Sequence, residues 1–204
     1  MPAFAGMTSM PTPKILIMAG SLRAGSHNAR LAALAAKEFA LADADVTRIS
    51  LADYPLPLMD ADFLAASGLP RQAVELKAML TAHQGVFIAS PEYSASISPL
   101  LKNAIDWMSR PGERSEPSYA AFKGRVFAVG SAANGAAGGV RGLMALRQVL
   151  ELGCGALVIP EQINVGRAGE AFDDMDNLKD ENLATALKTL VRRLVELASL
   201  MPRA

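Results

Sequence analysis

Residues 14–28 read KILIMAGSLRAGSHN. Lys14 to Gly20 is a short, nearly unbroken apolar run closed by glycine, which suits a strand buried on both faces better than a helix. The polar SLRAGSHN then gives way to a helical stretch, from Asn28 to about Ala42, with Leu31, Leu34, Ala35 and Phe39 on one side. Strand, polar turn and amphipathic helix make the first half of a parallel crossover unit.

The alternation continues outward from there. Val46 to Leu51 reads as a second, weaker strand, Gly85 to Ala89 as a third, Arg125 to Gly130 as a fourth and Ala156 to Ile159 as a fifth. Residues 52–69 hold two prolines and read as a long connection, of a length that suggests a binding or interface role. Pro70 opens the next helix, whose apolar positions are Val74, Leu76, Met79 and Leu80. A further helix runs from about Pro99 to Ser109 with Leu101, Ala104, Ile105 and Met108 at core spacing, and another ends near Leu152. The last sets Leu183, Leu187, Leu190, Leu194, Leu197 and Met201 at alternating spacings of four and three. With no hairpin signal between strands, the pattern implies an α/β fold: a flavodoxin-like, five-stranded parallel sheet in the order 2-1-3-4-5 with helices on both faces. Residues 14–204 form one domain on this reading. Residues 1–13, MPAFAGMTSMPTP, lack the basic start of a secretory signal and are expected to be a flexible lead-in.

Composition narrows the function. Lys and Arg number 20 against 20 Asp and Glu, and this zero balance demotes a nucleic-acid partner. The lone Cys154 cannot form an internal disulfide, and with two histidines it is too little for a closed zinc site. No apolar run approaches the roughly 18 residues of a membrane span. The expectation is a cytoplasmic protein that engages neither membrane nor nucleic acid. Cys154 reads as a small buried apolar residue, His83 as a surface group, and His27 as no better a ligand than a solvent-facing side chain. Trp107 and Lys102 read as packing and surface groups.

In an open parallel sheet, ligands gather beyond the carboxyl ends of the strands, where strand order reverses. The loops that fall there, after the first, third and fourth strands, are also the most distinctive stretches: 21–28, 90–98 and 131–139. The first carries Ser21, Arg23, Ser26 and Asn28 at the start of a helix, whose unpaired N–H groups and positive dipole end favour an anion such as a phosphate monoester. As a plain turn it would need only Ser26 as a cap. It is neither a Walker loop nor a G-x-G-x-x-G fingerprint. The second, SPEYSASIS, is stiffened by Pro91 and places Tyr93 beside a strand end, where main-chain groups can read the edge of a planar heterocycle. Glu92 has no evident proton-transfer partner. The third, SAANGAAGG, offers Gly135, Gly138 and Gly139 for close backbone approach to a flat ligand, or serves as a flexible connector.

GSLRAGSHN, SPEYSASISPLLKNAIDW and GSAANGAAGG with the following Leu146-Arg147 resemble the NADPH-dependent FMN reductase family, the flavodoxin-like quinone, azo and chromate reductases. The resemblance spans Lys14 to about Ile159. It implies that Ser21, Arg23, Ser26 and Asn28 hold the FMN phosphate. Pro91, Glu92, Tyr93 and Ser94 would line the isoalloxazine edge, largely through main chain, with Ser131 and Gly135 nearby. Ser94 stands where the family usually has Asn, so backbone contacts are expected there. The implied activity passes electrons from NADPH or NADH through FMN to a small acceptor: a quinone, an azo compound, chromate or free flavin. The flavin carries the chemistry, so no catalytic acid, base or metal is expected. The family also implies a homodimer or homotetramer with the flavin near a subunit boundary, touched by the 52–69 loop and the 99–109 helix. Two rival readings are a flavodoxin-type electron carrier, against which the balanced charge argues, and a binding protein that has kept the fold without flavin.

Overall fold

The computed structural model describes residues 12–113 and 115–203. The expected lead-in therefore lies outside the described residues except for Thr12 and Pro13. Five parallel strands, β1 (Lys14–Ala19), β2 (Asp45–Ser50), β3 (Gly85–Ala89), β4 (Val126–Ala132) and β5 (Leu157–Val165), form one sheet in the order β2-β1-β3-β4-β5. The helices are α1 (His27–Leu41), α2 (Ala61–Ser67), α3 (Arg71–Thr81), α4 (Pro99–Met108), α5 (Val140–Arg147) and α6 (Glu181–Ser199).

The strand pleat sends alternate residues to opposite faces, and each face has its own core. Ile15, Ile17, Phe87 and Ala128 pack under α1 and α6 with Leu31, Phe39, Leu190 and Leu194. Leu16, Met18, Val86, Ile88, Phe127 and Val129 pack under α3, α4 and α5 with Leu76, Leu101, Ile105 and Leu143. This double burial is why the central strands read as nearly continuous apolar runs. Asp180 caps α6, accepting the Asn182 N–H at 2.8 Å. On that helix Leu187, Leu190 and Leu194 are buried, Leu183 and Leu197 flank them, and Met201 falls beyond its end.

Several elements differ from expectation. The 52–69 connection contains a 3₁₀ turn (Leu51–Asp53) and α2, the latter capped by Asp60, which accepts the Phe63 N–H at 2.8 Å. It does not hang free: Pro57 C=O accepts bonds from Trp107 Nε1 (2.8 Å) and Asn103 Nδ2 (2.9 Å), and Phe63 meets the buried Trp107 ring edge-on at 6.0 Å. Pro70 precedes α3 as its cap residue, and Val74 faces solvent while Ala73 and Lys77 take buried positions. β5 runs on to Val165; Pro160 is tolerated because β5 is an edge strand, and the register shift opposite Phe127 to Val129 marks the irregularity. α5 continues into a π-helical turn, Gln148–Gly153. His83 is buried rather than on the surface, its Nδ1 donating to the Met79 carbonyl at 2.6 Å. Its burial is not announced by its polar neighbour, Gln84, which is itself buried and accepts the Lys14 N–H at 3.0 Å. No helix among the described residues is long and apolar enough to cross a membrane.

Candidate functional site

β1, β3 and β4 are neighbours, so the loops leaving their carboxyl ends lie side by side where the strand order reverses. Gly20 N–H donates to Ala89 C=O and Ser90 N–H to Gly130 C=O, each at 2.8 Å, which keeps the loops in register as they leave the sheet.

In the first loop Ser26 is the N-cap of α1, its Oγ accepting the Ala29 N–H at 3.4 Å while its carbonyl accepts the Arg30 N–H. The N–H groups of His27 and Asn28 have no partner among the described residues. Ser21 Oγ accepts the Arg23 N–H at 3.3 Å, and Gly25 takes φ +65°, which turns the chain into the helix. Arg23 is exposed and folds over its own loop, donating to Ala24 C=O (3.4 Å) and Gly25 C=O (3.2 Å), with no carboxylate partner among the described residues. A guanidinium, a hydroxyl and two open N–H groups thus gather at the positive end of α1. His27 touches Asn134 of the third loop, and burial first, then Arg23 and Arg30, lower its pKa.

Asn28 stands apart from this set. It is buried, its Nδ2 donating to Ala132 C=O at 2.9 Å and its Oδ1 accepting Ala132 N–H at 3.0 Å. Its side chain joins α1 to the end of β4, which leaves only its N–H to face a ligand.

In the second loop Pro91 is buried and Tyr93 half-exposed. Tyr93 and Ser96 exchange N–H···O bonds of 2.8 and 2.9 Å around Ser94 (φ 49°) and Ala95 (φ 61°), a two-residue turn of the I′ kind. Ser98 caps α4 and its hydroxyl donates to Gly20 C=O at 2.7 Å, joining the second loop to the first. Glu92 turns its side chain away from the loop's rim, toward α5. Its Oε1 accepts Arg141 Nε at 2.9 Å and its Oε2 accepts Gly142 N–H at 3.0 Å. The Gly142 bond, aided by Arg141, holds its carboxyl below the ordinary glutamate range.

The third loop starts later than expected, since β4 extends through Ala132 and Ser131 belongs to the strand. Ser131 is fully buried and its Oγ has no partner among the described residues, so it does not present a hydroxyl to the rim. Gly139 explains this: at φ +81° it lies against Ser131, and a Cβ there would collide with Ser131 Oγ. Gly135 by contrast has open space where a Cβ would stand. Nothing local in the sequence announces that Asn28 and Ser98 are the two side chains that stitch the loops together. Their partners lie 104 and 78 residues away.

The first loop offers a cation, hydroxyls and open main-chain N–H groups that suit the binding of an anion. Cys154 is buried and its thiol is pushed up to about 11, chiefly by that burial. No group of three or more His, Cys, Asp or Glu among the described residues could hold a metal.

Residues 13–170 match the model of the NADPH-dependent FMN reductase family, and the chain belongs to that family. It is 34% identical over 192 residues to a probable NADPH:quinone oxidoreductase of Oryza sativa subsp. japonica, covering 93% of this chain and 90% of the rice protein. It is 34% identical over 190 residues to an NAD(P)H-dependent FMN reductase of Pseudomonas aeruginosa, covering 89% of this chain and 96% of that one. Among solved structures, the flavoenzyme NAD(P)H:(acceptor) oxidoreductase FerB of Paracoccus denitrificans superposes with a TM-score of 0.76 at 26% identity, over 93% of this chain and 98% of that one. The protein is thus an enzyme, an FMN-dependent NAD(P)H oxidoreductase. The residues present fit the cofactor: an exposed guanidinium with no carboxylate partner among the described residues and two open N–H groups suit a phosphate, and a turn closed by the Tyr93–Ser96 bonds, with open space at Gly135 of the third loop, suits a planar ring.

Proposed function

We propose that the first loop holds the FMN phosphate and the second lines the ring edge, and that a small organic acceptor, a quinone foremost, takes the electrons. The observation that carries this reading is Arg23, an exposed cation without a carboxylate partner among the described residues, beside the two open N–H groups of α1. Bound FMN supplies hydride acceptance from NAD(P)H and onward electron transfer. The chain's own part is to grip and orient. Ser21, Arg23, the Ser26 hydroxyl and the N–H of Asn28 surround the phosphate position. The main chain of Pro91, Glu92, Tyr93 and Ser94 faces the ring edge, and Gly135 leaves room on the far side. No side chain need move a proton.

An apolar acceptor is favoured over an oxyanion by a cavity of about 230 Å³ beside the first loop, lined by Leu22, Leu51, Tyr54, Pro55, Leu56 and Leu100. Relatives named for quinone reduction point the same way. Leu22, Leu58 and Tyr93, 53%, 83% and 51% exposed, are apolar surface on loops at the carboxyl rim, and support a homodimer or homotetramer that covers it. The unpaired Cys154 and the balanced charge support a cytoplasmic site of action with small-molecule partners.

The test is direct. Purified protein should be yellow or take up added FMN, and should oxidise NADPH faster with a benzoquinone than with chromate. A colourless preparation that neither binds FMN nor turns over NADPH overturns the reading.

A further inference from the structure

α5 lacks a cap of its own. Its N-cap is Gly139, which has no side chain to offer, so its first N–H groups need an acceptor from elsewhere. Glu92 supplies it from 50 residues upstream, accepting Gly142 N–H at 3.0 Å and Arg141 Nε at 2.9 Å. Its side chain is 11% exposed, whereas that of Arg141 is 68% exposed. The approach is close along the whole contact. A Cβ on Gly142 would lie 3.0 Å from Glu92 Cβ and 3.1 Å from its Cα, and one on Gly139 would lie 3.6 Å from Glu92 Cβ. The start of α5 is therefore seated on the backbone of the second loop.

We propose that the Glu92 side chain positions the flavin ring: its carboxylate, turned away from the ring, caps α5 and thereby fixes the Pro91–Ser94 main chain at the ring edge. The proposal rests on the FMN reading above. The acceptor is charged, so the bond is of the strong, charge-assisted kind, and it opposes the positive end of the helix. Release of the carboxylate would remove a tie near the start of the loop, leaving it held by Ser90 on Gly130 and Ser98 on Gly20.

FMN and riboflavin, which lacks the phosphate, separate this role from that of the first loop. The ring is common to FMN and riboflavin, so a ring-positioning defect lowers affinity for both by the same factor. A phosphate defect spares riboflavin. Glu92→Ala is expected to weaken FMN and riboflavin alike by about tenfold or more, and to shift the visible absorption band of the flavin that stays bound. Glu92→Gln, whose amide oxygen can still accept the Gly142 N–H, should recover part of both effects. Arg141→Met, made at an exposed position, should reproduce them in weaker form if Glu92→Ala fails to fold. Wild-type protein that binds neither flavin would sink the FMN reading instead. Wild-type binding together with unchanged flavin affinities and spectra in the folded variants, or a loss confined to FMN, would overturn the role given to Glu92.

Discussion

Ser94 and Ala95 both occupy the left-handed region, at φ 49° and 61°, in the turn that closes the second loop. An alanine there suffers the close approach of its Cβ to a carbonyl, which glycine avoids. Ala95→Gly should therefore stabilise the folded protein by up to about 1 kcal/mol, read as a rise in thermal midpoint, provided the turn keeps its geometry. Asn is also suited to this backbone region, so a Ser94→Asn exchange would act on the turn's conformation. Arg23 gives a second test at this scale. Arg23→Ala should lower FMN affinity by about ten- to a hundredfold, equivalent to roughly 1.5–3 kcal/mol, and riboflavin affinity far less. Equal losses by titration calorimetry would give Arg23 a folding role.

Elements are held in place by side chains that bond to distant backbone. Asn28→Ala removes two hydrogen bonds and strands the Ala132 N–H and C=O in a buried setting. A loss of about 2–4 kcal/mol is expected, measured by urea unfolding with the slope unchanged. The strands and most helices were legible because their apolar positions follow the period of the element. The end of β5 was not: in Pro160, Glu161 and Gln162 an edge strand has no need of continuous apolar residues. α2 is seven residues with no buried side chain, too short for a periodic signal. The site's loops stood out through their residue types, whereas their cross-links did not. Glu92 looked partnerless because Arg141 and Gly142 come 49 and 50 residues later, and nothing local announces such a contact. Ser131 looked available because the strand was read as ending one residue before it, at Gly130.

At the scale of the whole molecule, pH acts through a few buried groups. His83 is 5% exposed and faces Lys14, Asp45 and Arg125; desolvation outweighs its Met79 bond and lowers its pKa. A histidine whose folded pKa is depressed disfavours folding once the unfolded chain binds the proton, so stability should fall as pH drops below about 6.5. His83→Gln should narrow the difference in thermal midpoint between pH 7.5 and 5.5. A second decline should follow in stronger acid. Glu116 is held low mainly by its bond to the buried Lys77, and Glu92 by Gly142, so both contributions persist above the ordinary glutamate range and vanish as pH falls through the depressed values.

On the side of residue 132, the pairing with Asn28 uses only main-chain atoms, which every amino acid but proline can supply. A replacement at 132 would leave that tie intact but would have to fit the packed core under α1 and α6, where Ala132 is buried, whereas no change at position 28 keeps both bonds unless it keeps the amide. For anyone wishing to retune the enzyme toward another oxidant, the exposed residues 134–137 just beyond this tie are the place to vary, and Asn28 with its helix is the part to leave alone.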